Sequence, residues 1–287
     1  MELRKLRDFS ENLNDTFQFI KQELKPLLGS FMAICGVFII LSGIVGGIYQ
    51  ENSFGNIYQV LKGGVLKQRS FGDTFTGLYF LLIAVSVFSY VLMHVVLAVY
   101  FKIYLAKSKV SPTIEEVWNE TIKHILPLFF FSVIYTLLTV VSVLFCVIPF
   151  FYFSVVFAPF TMIYIMEGGS FSHGFRRCFA LIKNNYWASF AIYLVAYIIY
   201  AFGAGIVGAV VGLVAGFASY FSTKDLAATV GIVTGILSIF THVFYILFFV
   251  PIALNYFNLT EIVDGNGLMQ RIDSIGSNET EKVQEQY

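Results

Sequence analysis

Residues 124 to 166 read HILPLFFFSVIYTLLTVVSVLFCVIPFFYFSVVFAPFTMIYIM, forty-three positions without one Asp, Glu, Lys or Arg. A hydrocarbon core of roughly 30 Å is crossed by about 20 helical residues, so this run is long enough to cross twice. Four further stretches lack all four charged types: 26 to 50, 74 to 101, 184 to 223 and 226 to 260. Each is long enough to cross once. The chain therefore reads as an all-α integral membrane protein with six transmembrane helices arranged as three hairpins.

Composition agrees. Apolar residues make up 57%, aromatics 18% and charged residues only 13%, against about a quarter charged in a soluble domain. The mean hydropathy of +0.77 leaves little polar material for a soluble domain. A formal net charge of zero hides an asymmetry between alternate loops. Fourteen Lys and Arg fall in the N-terminal lead, around Lys102 to Lys123, at Arg176, Arg177 and Lys183, and in the tail. Only Lys62, Lys67, Arg69 and Lys224 fall on the other side. Positive charge is retained on the cytoplasmic side, which puts both termini there and the protein in the cell (cytoplasmic or inner) membrane. The amphipathic lead is unlike a short basic signal peptide, so it is expected to stay in the mature chain.

An internal repeat runs through the chain. Phe9, Leu13, Phe17, Ile20 and Leu24 recur with steps of 4, 4, 3 and 4, which places them on one helical stripe. Val110, Ile114, Trp118, Thr121 and Ile125 repeat those steps, as do Phe171, Phe175, Phe179, Ile182 and Tyr186. Ser10, Ser111 and Ser172 follow the first stripe position in each copy and are candidate helix caps. Each hairpin is thus expected to be preceded by a cytoplasmic interfacial amphipathic helix, in units of about 9–106, 110–166 and 171–258. Tyr104, Tyr164 and Tyr256 occupy one slot in the three helix exits, where a tyrosine suits the headgroup boundary as an interfacial anchor. Residues 1–258 form the membrane domain, and 259–287 a polar cytoplasmic tail, disordered in part.

Gly203, Gly205 and Gly208 spell GxGxxG, but no strand precedes them and they sit inside a charge-free run. Gly208, Gly212 and Gly216 are spaced four apart, as are Gly43 with Gly47 and Gly231 with Gly235. Small residues at that spacing let a second helix approach closely in lipid. Pro159 and Pro251 lie inside the fourth and sixth spans and are expected to kink them. His94 and His242 are the only ionisable groups near the middle of the spans apart from tyrosines, and intramembrane ionisable groups are functional candidates. Cys35, Cys146 and Cys178 are scattered, without a CxxC pair, and suggest neither a disulfide framework nor a metal site.

Residues 159 to 190, PFTMIYIMEGGSFSHGFRRCFALIKNNYWASF, combine a proline in a helix exit, an acidic residue with glycine, a basic amphipathic helix ending in Ile-Lys-Asn and an aromatic pair. This pattern resembles the glycerophosphoryl diester phosphodiesterase membrane-domain family and related six-helix prokaryotic membrane proteins of unknown function. The resemblance implies a multi-pass cytoplasmic-membrane module, without the soluble hydrolase and with no catalytic assignment. Glu167, Arg176, Arg177 and Lys183 match the pattern, and the roles expected for them are fixing helix entry and, for Arg176, Arg177 and Lys183, contacting phospholipid headgroups. Tyr186 stands where the pattern has tryptophan.

No HExxH, GxSxG, phosphate-cradling loop or pair of buried carboxylates is present. The expectation is a non-enzymatic protein with no cofactor, no metal and no nucleic-acid partner. It would contact membrane lipids or scaffold a membrane-protein partner. The alternative is a transporter of a small solute or lipid that uses His94 and His242 near the bilayer midplane.

Overall fold

The computed structural model describes residues 1–61, 76–145, 147–168, 170–223 and 225–265. Lys62, Lys67, Arg69, Cys146, Lys224 and the tail from position 266 lie outside the described residues. Every regular element among the described residues is helical: α1 Phe9–Leu61, α2 Gly77–Ala106, α3 Ile114–Phe145, α4 Val147–Phe157, α5 Phe160–Glu167, α6 Phe171–Ile182, α7 Tyr186–Thr223, α8 Leu226–Phe244 and α9 Ile246–Asp264. Six helices, counting α4 with α5 and α8 with α9 as one span each, are long and apolar enough to cross a membrane. Hydrocarbon offers no partner for a free N–H or C=O, and a helix satisfies both within itself.

The fourth and sixth spans are both broken, but only the fourth breaks at its proline. A turn at Ala158 and Pro159 separates α4 from α5, since proline has no N–H to continue the ladder. In the sixth span the break falls at Tyr245, six residues before Pro251, which itself stays inside α9. The last helix continues to Asp264, with Leu259 and Glu261 buried, so the ordered domain runs past position 258.

The amphipathic leads depart from expectation. Only the third is a separate helix, α6, ended by a turn through Asn184 and Asn185, residues that favour turns. The first two run without a break into α1 and α3, past Pro26 and Pro127. No glycine or asparagine pair interrupts them, and the bonds around each proline keep the helix continuous. The caps also differ. Asp8 and Glu11 exchange hydrogen bonds with each other's backbone N–H at 2.7 and 3.0 Å, and Thr113 and Glu116 do the same at 3.4 and 2.8 Å. These are reciprocal capping boxes. Ser170 caps α6 by accepting from the His173 N–H. The caps are Asp8, Thr113 and Ser170, not Ser10, Ser111 and Ser172.

The first stripe faces the bundle only in part. Phe9, Phe17 and Leu24 are exposed, Leu13 and Ile20 are half-buried, and it is Asn12, Asp15, Thr16, Phe19 and Glu23 on the adjoining face that are buried. Arg7 is buried as well, its Nε donating to Asp15 at 2.8 Å and its backbone N–H to Asn258 at 2.8 Å, which ties the lead to α9. The dry core lies where α2 meets α1, α5 and α9, around Phe19, Val95, Val99, Phe160, Phe249 and Leu254. α1 packs most extensively on α8, and α8 in turn on α7. By contrast α3 and α7 turn Leu126, Phe130, Leu137, Phe202, Ile206 and Leu213 outward, as hydrocarbon-facing surfaces do.

The glycine spacings become close crossings. A Cβ on Gly43 would meet the Gly235 carbonyl oxygen at 2.8 Å. On the far side of α8, Leu237 Cδ2 and Val233 Cγ1 fill the groove at Gly208 and Gly212, 2.8 and 3.2 Å from where a Cβ would stand, and Val233 Cγ2 lies 3.4 Å from that point at Gly216.

Candidate functional site

Between α2, α3, α4, α5, α7 and α9 lies a cavity of about 750 Å³. That volume falls within the roughly 300–1,000 Å³ of small-molecule sites. Its inner wall is dry: Val91, Val95 and Ile252 are buried. Its outer rim is not, for Phe151, Leu194 and Tyr197 are half-exposed on the side of the bundle. Tyr90 on α2 and Thr136 on α3 are exposed as well, so the accessible, mostly apolar border of the cavity is shared by α2, α3, α4 and α7.

The cavity lies beside both breaks, for Ala158 from the first and Tyr245 from the second line its wall. Phe190, Tyr193, Tyr197 and Tyr200, spaced 3, 4 and 3, form one stripe of α7 along the same wall. Phe131 and Tyr135 face it from α3. Asn255 on α9 donates to both Ser189 and Tyr193 at 3.0 Å and fixes the lower part of that stripe.

His94 lines the cavity and His242 does not. His94 Nε2 lies 2.7 Å from the Tyr245 hydroxyl and its Nδ1 2.7 Å from the Tyr90 carbonyl oxygen. His242 is buried, its Nδ1 2.6 Å from the Ser238 carbonyl oxygen and its ring against Tyr90 at 5.1 Å between centroids. Both histidines thus touch Tyr90, one through its backbone and one through its ring. The wall carries no Asp, Glu, Lys or Arg among the described residues. Such a wall suits an uncharged, largely apolar ligand, with tyrosine hydroxyls and His94 for orientation.

A polar cluster joins the ends of α5, α6 and α9. Gly168 adopts φ +68°, which favours glycine and ends α5, leaving Glu167 free to reach two elements. Glu167 accepts from Arg177 Nε at 3.0 Å and from the Tyr256 hydroxyl at 3.2 Å, and Arg177 also pairs with Asp264. Burial weighs against the Arg177 charge, but the Asp264 hydrogen bond and the Glu167 charge outweigh it and hold the guanidinium pKa above its ordinary value. Arg177 thus fastens helices together. Arg176 and Lys183 are exposed and remain candidates for headgroup contact.

The helix-exit tyrosines are not placed alike. Tyr104 is buried, edge-on to Phe19 at 5.5 Å, and Tyr256 is buried with its hydroxyl on Glu167. Those two serve the bundle rather than a headgroup layer, because polar partners inside the protein reach their hydroxyls first. Tyr164 is half-buried and edge-on to His124 at 6.1 Å. Cys35 and Cys178 are buried and free. Tyr90, Tyr245 and the α7 tyrosine stripe were missed in the sequence, although the 4 and 3 spacing of Tyr193, Tyr197 and Tyr200 is legible there.

No protein-family model, curated protein or solved structure matches this chain.

Proposed function

We propose that this chain is a non-catalytic multi-pass protein of the cytoplasmic membrane that holds a lipid-phase ligand in its lateral cavity. Three hairpins with both termini cytoplasmic make up the bundle, and α6 with the leads of α1 and α3 lies at the cytoplasmic interface. Arg176 and Lys183 meet phospholipid headgroups there. The resemblance of Pro159 to Phe190 to the glycerophosphoryl diester phosphodiesterase membrane domain belongs to this reading, as does descent from a repeated unit. A single observation carries it: an apolar-walled cavity of about 750 Å³ whose lining includes exposed residues of α4 and α7.

Native mass spectrometry of the chain released from nanodiscs tests it. The protein retains a bound lipid through detergent washing, and Ser132→Trp, which fills the cavity, removes it. Equal retention by the filled variant, or none by the unmodified chain, would defeat the proposal.

A transport reading is favoured by one feature, the place of His94 on the cavity wall midway along α2. Solute or lipid flux in reconstituted vesicles that falls with His94→Ala supports it. Flux that is absent or unchanged removes it.

A further inference from the structure

We infer that the ligand of this cavity is an uncharged lipid bearing a free hydroxyl, and that Tyr245, held by His94, accepts the hydrogen bond from it. This rests on the proposed lipid-phase ligand and specifies its chemical class.

The hydrogen-bond polarity at the wall supplies the argument. A backbone carbonyl can only accept, so the His94 nitrogen that faces the Tyr90 carbonyl at 2.7 Å carries the proton. In the neutral imidazole the other nitrogen is then an acceptor, and it is the one that lies 2.7 Å from the Tyr245 hydroxyl. Tyr245 must donate to it. The tyrosine proton is therefore committed within the protein, while the phenol oxygen keeps lone pairs at a wall that Tyr245 itself lines. Among the described residues no Asp or Glu lines the cavity to balance an imidazolium, so the neutral ring is the form this wall accommodates.

Two exclusions follow. A phosphorylated or otherwise charged headgroup would lose its hydration and meet no counter-ion, because no Lys, Arg, Asp or Glu is on the wall among the described residues. At Tyr245 a ligand oxygen without a proton would face lone pair to lone pair, and only the other hydroxyls of the wall, such as those of Tyr90, Tyr197 and Tyr200, would be left to donate to it. A hydroxyl on an apolar skeleton satisfies both conditions, and its chains have a way out to the bilayer past Phe151 and Tyr197.

Photo-crosslinking of the full chain in nanodiscs is decisive. Three probes carry the same diazirine acyl chain: a diacylglycerol, the same molecule with its hydroxyl methylated, and a phosphatidylcholine. The diacylglycerol labels α3, α4 and α7 residues of the cavity about 5-fold more than the methyl ether, the value of one neutral hydrogen bond, and the phosphatidylcholine labels them least. His94→Leu releases the Tyr245 proton and shifts preference toward the methyl ether; His94→Leu with Tyr245→Phe abolishes the preference. Equal cavity labelling by alcohol and ether in the unmodified protein overturns the inference while leaving a lipid site in place. Cavity labelling by none of the three overturns the underlying lipid reading as well. The comparison of probes needs no variant to fold.

Discussion

Gly47 and Gly231 meet backbone to backbone: a Cβ on Gly47 would lie 2.7 Å from the Gly231 carbonyl oxygen, and one on Gly231 would lie 2.8 Å from that of Gly47. With Gly43 and Gly235 in the same relationship one turn away, they hold α1 against α8 and so join the first span to the last. In lipid no hydrophobic force distinguishes protein from solvent, so close backbone approach is what favours this contact. Gly47→Leu and Gly231→Leu are each expected to destabilise the fold by about 1–3 kcal/mol through overpacking against backbone that has no rotamer to yield. A lower midpoint in heat-induced loss of the monodisperse chromatographic peak checks this; Gly29→Leu, where an added Cβ meets nothing within 4 Å, should leave the midpoint in place.

Arg177 and Arg176 are neighbours with different duties. Arg177→Ala removes the link from Glu167 to Asp264 and is expected to lower stability by about 1 kcal/mol, since the pair is partly exposed and screened. Arg176→Ala leaves stability unchanged and reduces retention of anionic lipid in native mass spectra. If both substitutions alter only lipid retention, the fastening role of Arg177 is wrong.

How much of this was legible in the chain itself depended on distance along it. Charge-free runs report local solvent, so all six spans could be counted from residues 26 to 260. Spacing of Gly231 and Gly235 showed that some helix comes close, yet not that its partner would be Gly43 and Gly47, almost two hundred positions earlier. The serines at 10, 111 and 172 aligned across the repeat and drew attention from Asp8-x-x-Glu11 and Thr113-x-x-Glu116, whose reciprocal bonding is a more specific local signal. Tyr104 and Tyr256 sat at a depth suited to headgroups, but depth says nothing of which way a ring turns about its helix. The cavity was hidden for a different reason: it is a gap between six helices, and no periodicity within one helix encodes how it sits against the others.

Glu23 is a buried carboxyl whose Oε2 accepts from the Tyr100 hydroxyl and from Ser111, both at 2.7 Å. Here the serine expected to cap a helix instead supports an acid from α1. Tyr100→Phe takes away one of two donors and should cost about 1–2 kcal/mol, because the carboxyl oxygen cannot find water in its place. Adding Glu23→Leu to Tyr100→Phe removes both halves of the interaction, and at least half of the lost stability should return. A double variant less stable than Tyr100→Phe alone would mean that Glu23 has a further partner of greater weight.

Ser172 and Ser222 stand at opposite ends of the fifth span, the first exposed on α6 and the second exposed near the end of α7. The 38-residue helix α7 between them is about 57 Å long, well beyond the roughly 30 Å hydrocarbon core, which leaves room for both positions outside it. In the proposed orientation the side of Ser172 and Lys109, which carries the excess of Lys and Arg, is the cytoplasmic one. In a chain with its native cysteines replaced, Ser222→Cys should react with a membrane-impermeant maleimide added to intact cells. Ser172→Cys and Lys109→Cys should react only after the membrane is opened. Reversal of all three would keep the six spans and invert the protein, whereas labelling of Ser172→Cys and Ser222→Cys from one side would mean that the fifth helix does not cross, and with it the bilayer placement of the tyrosine-lined cavity would fail.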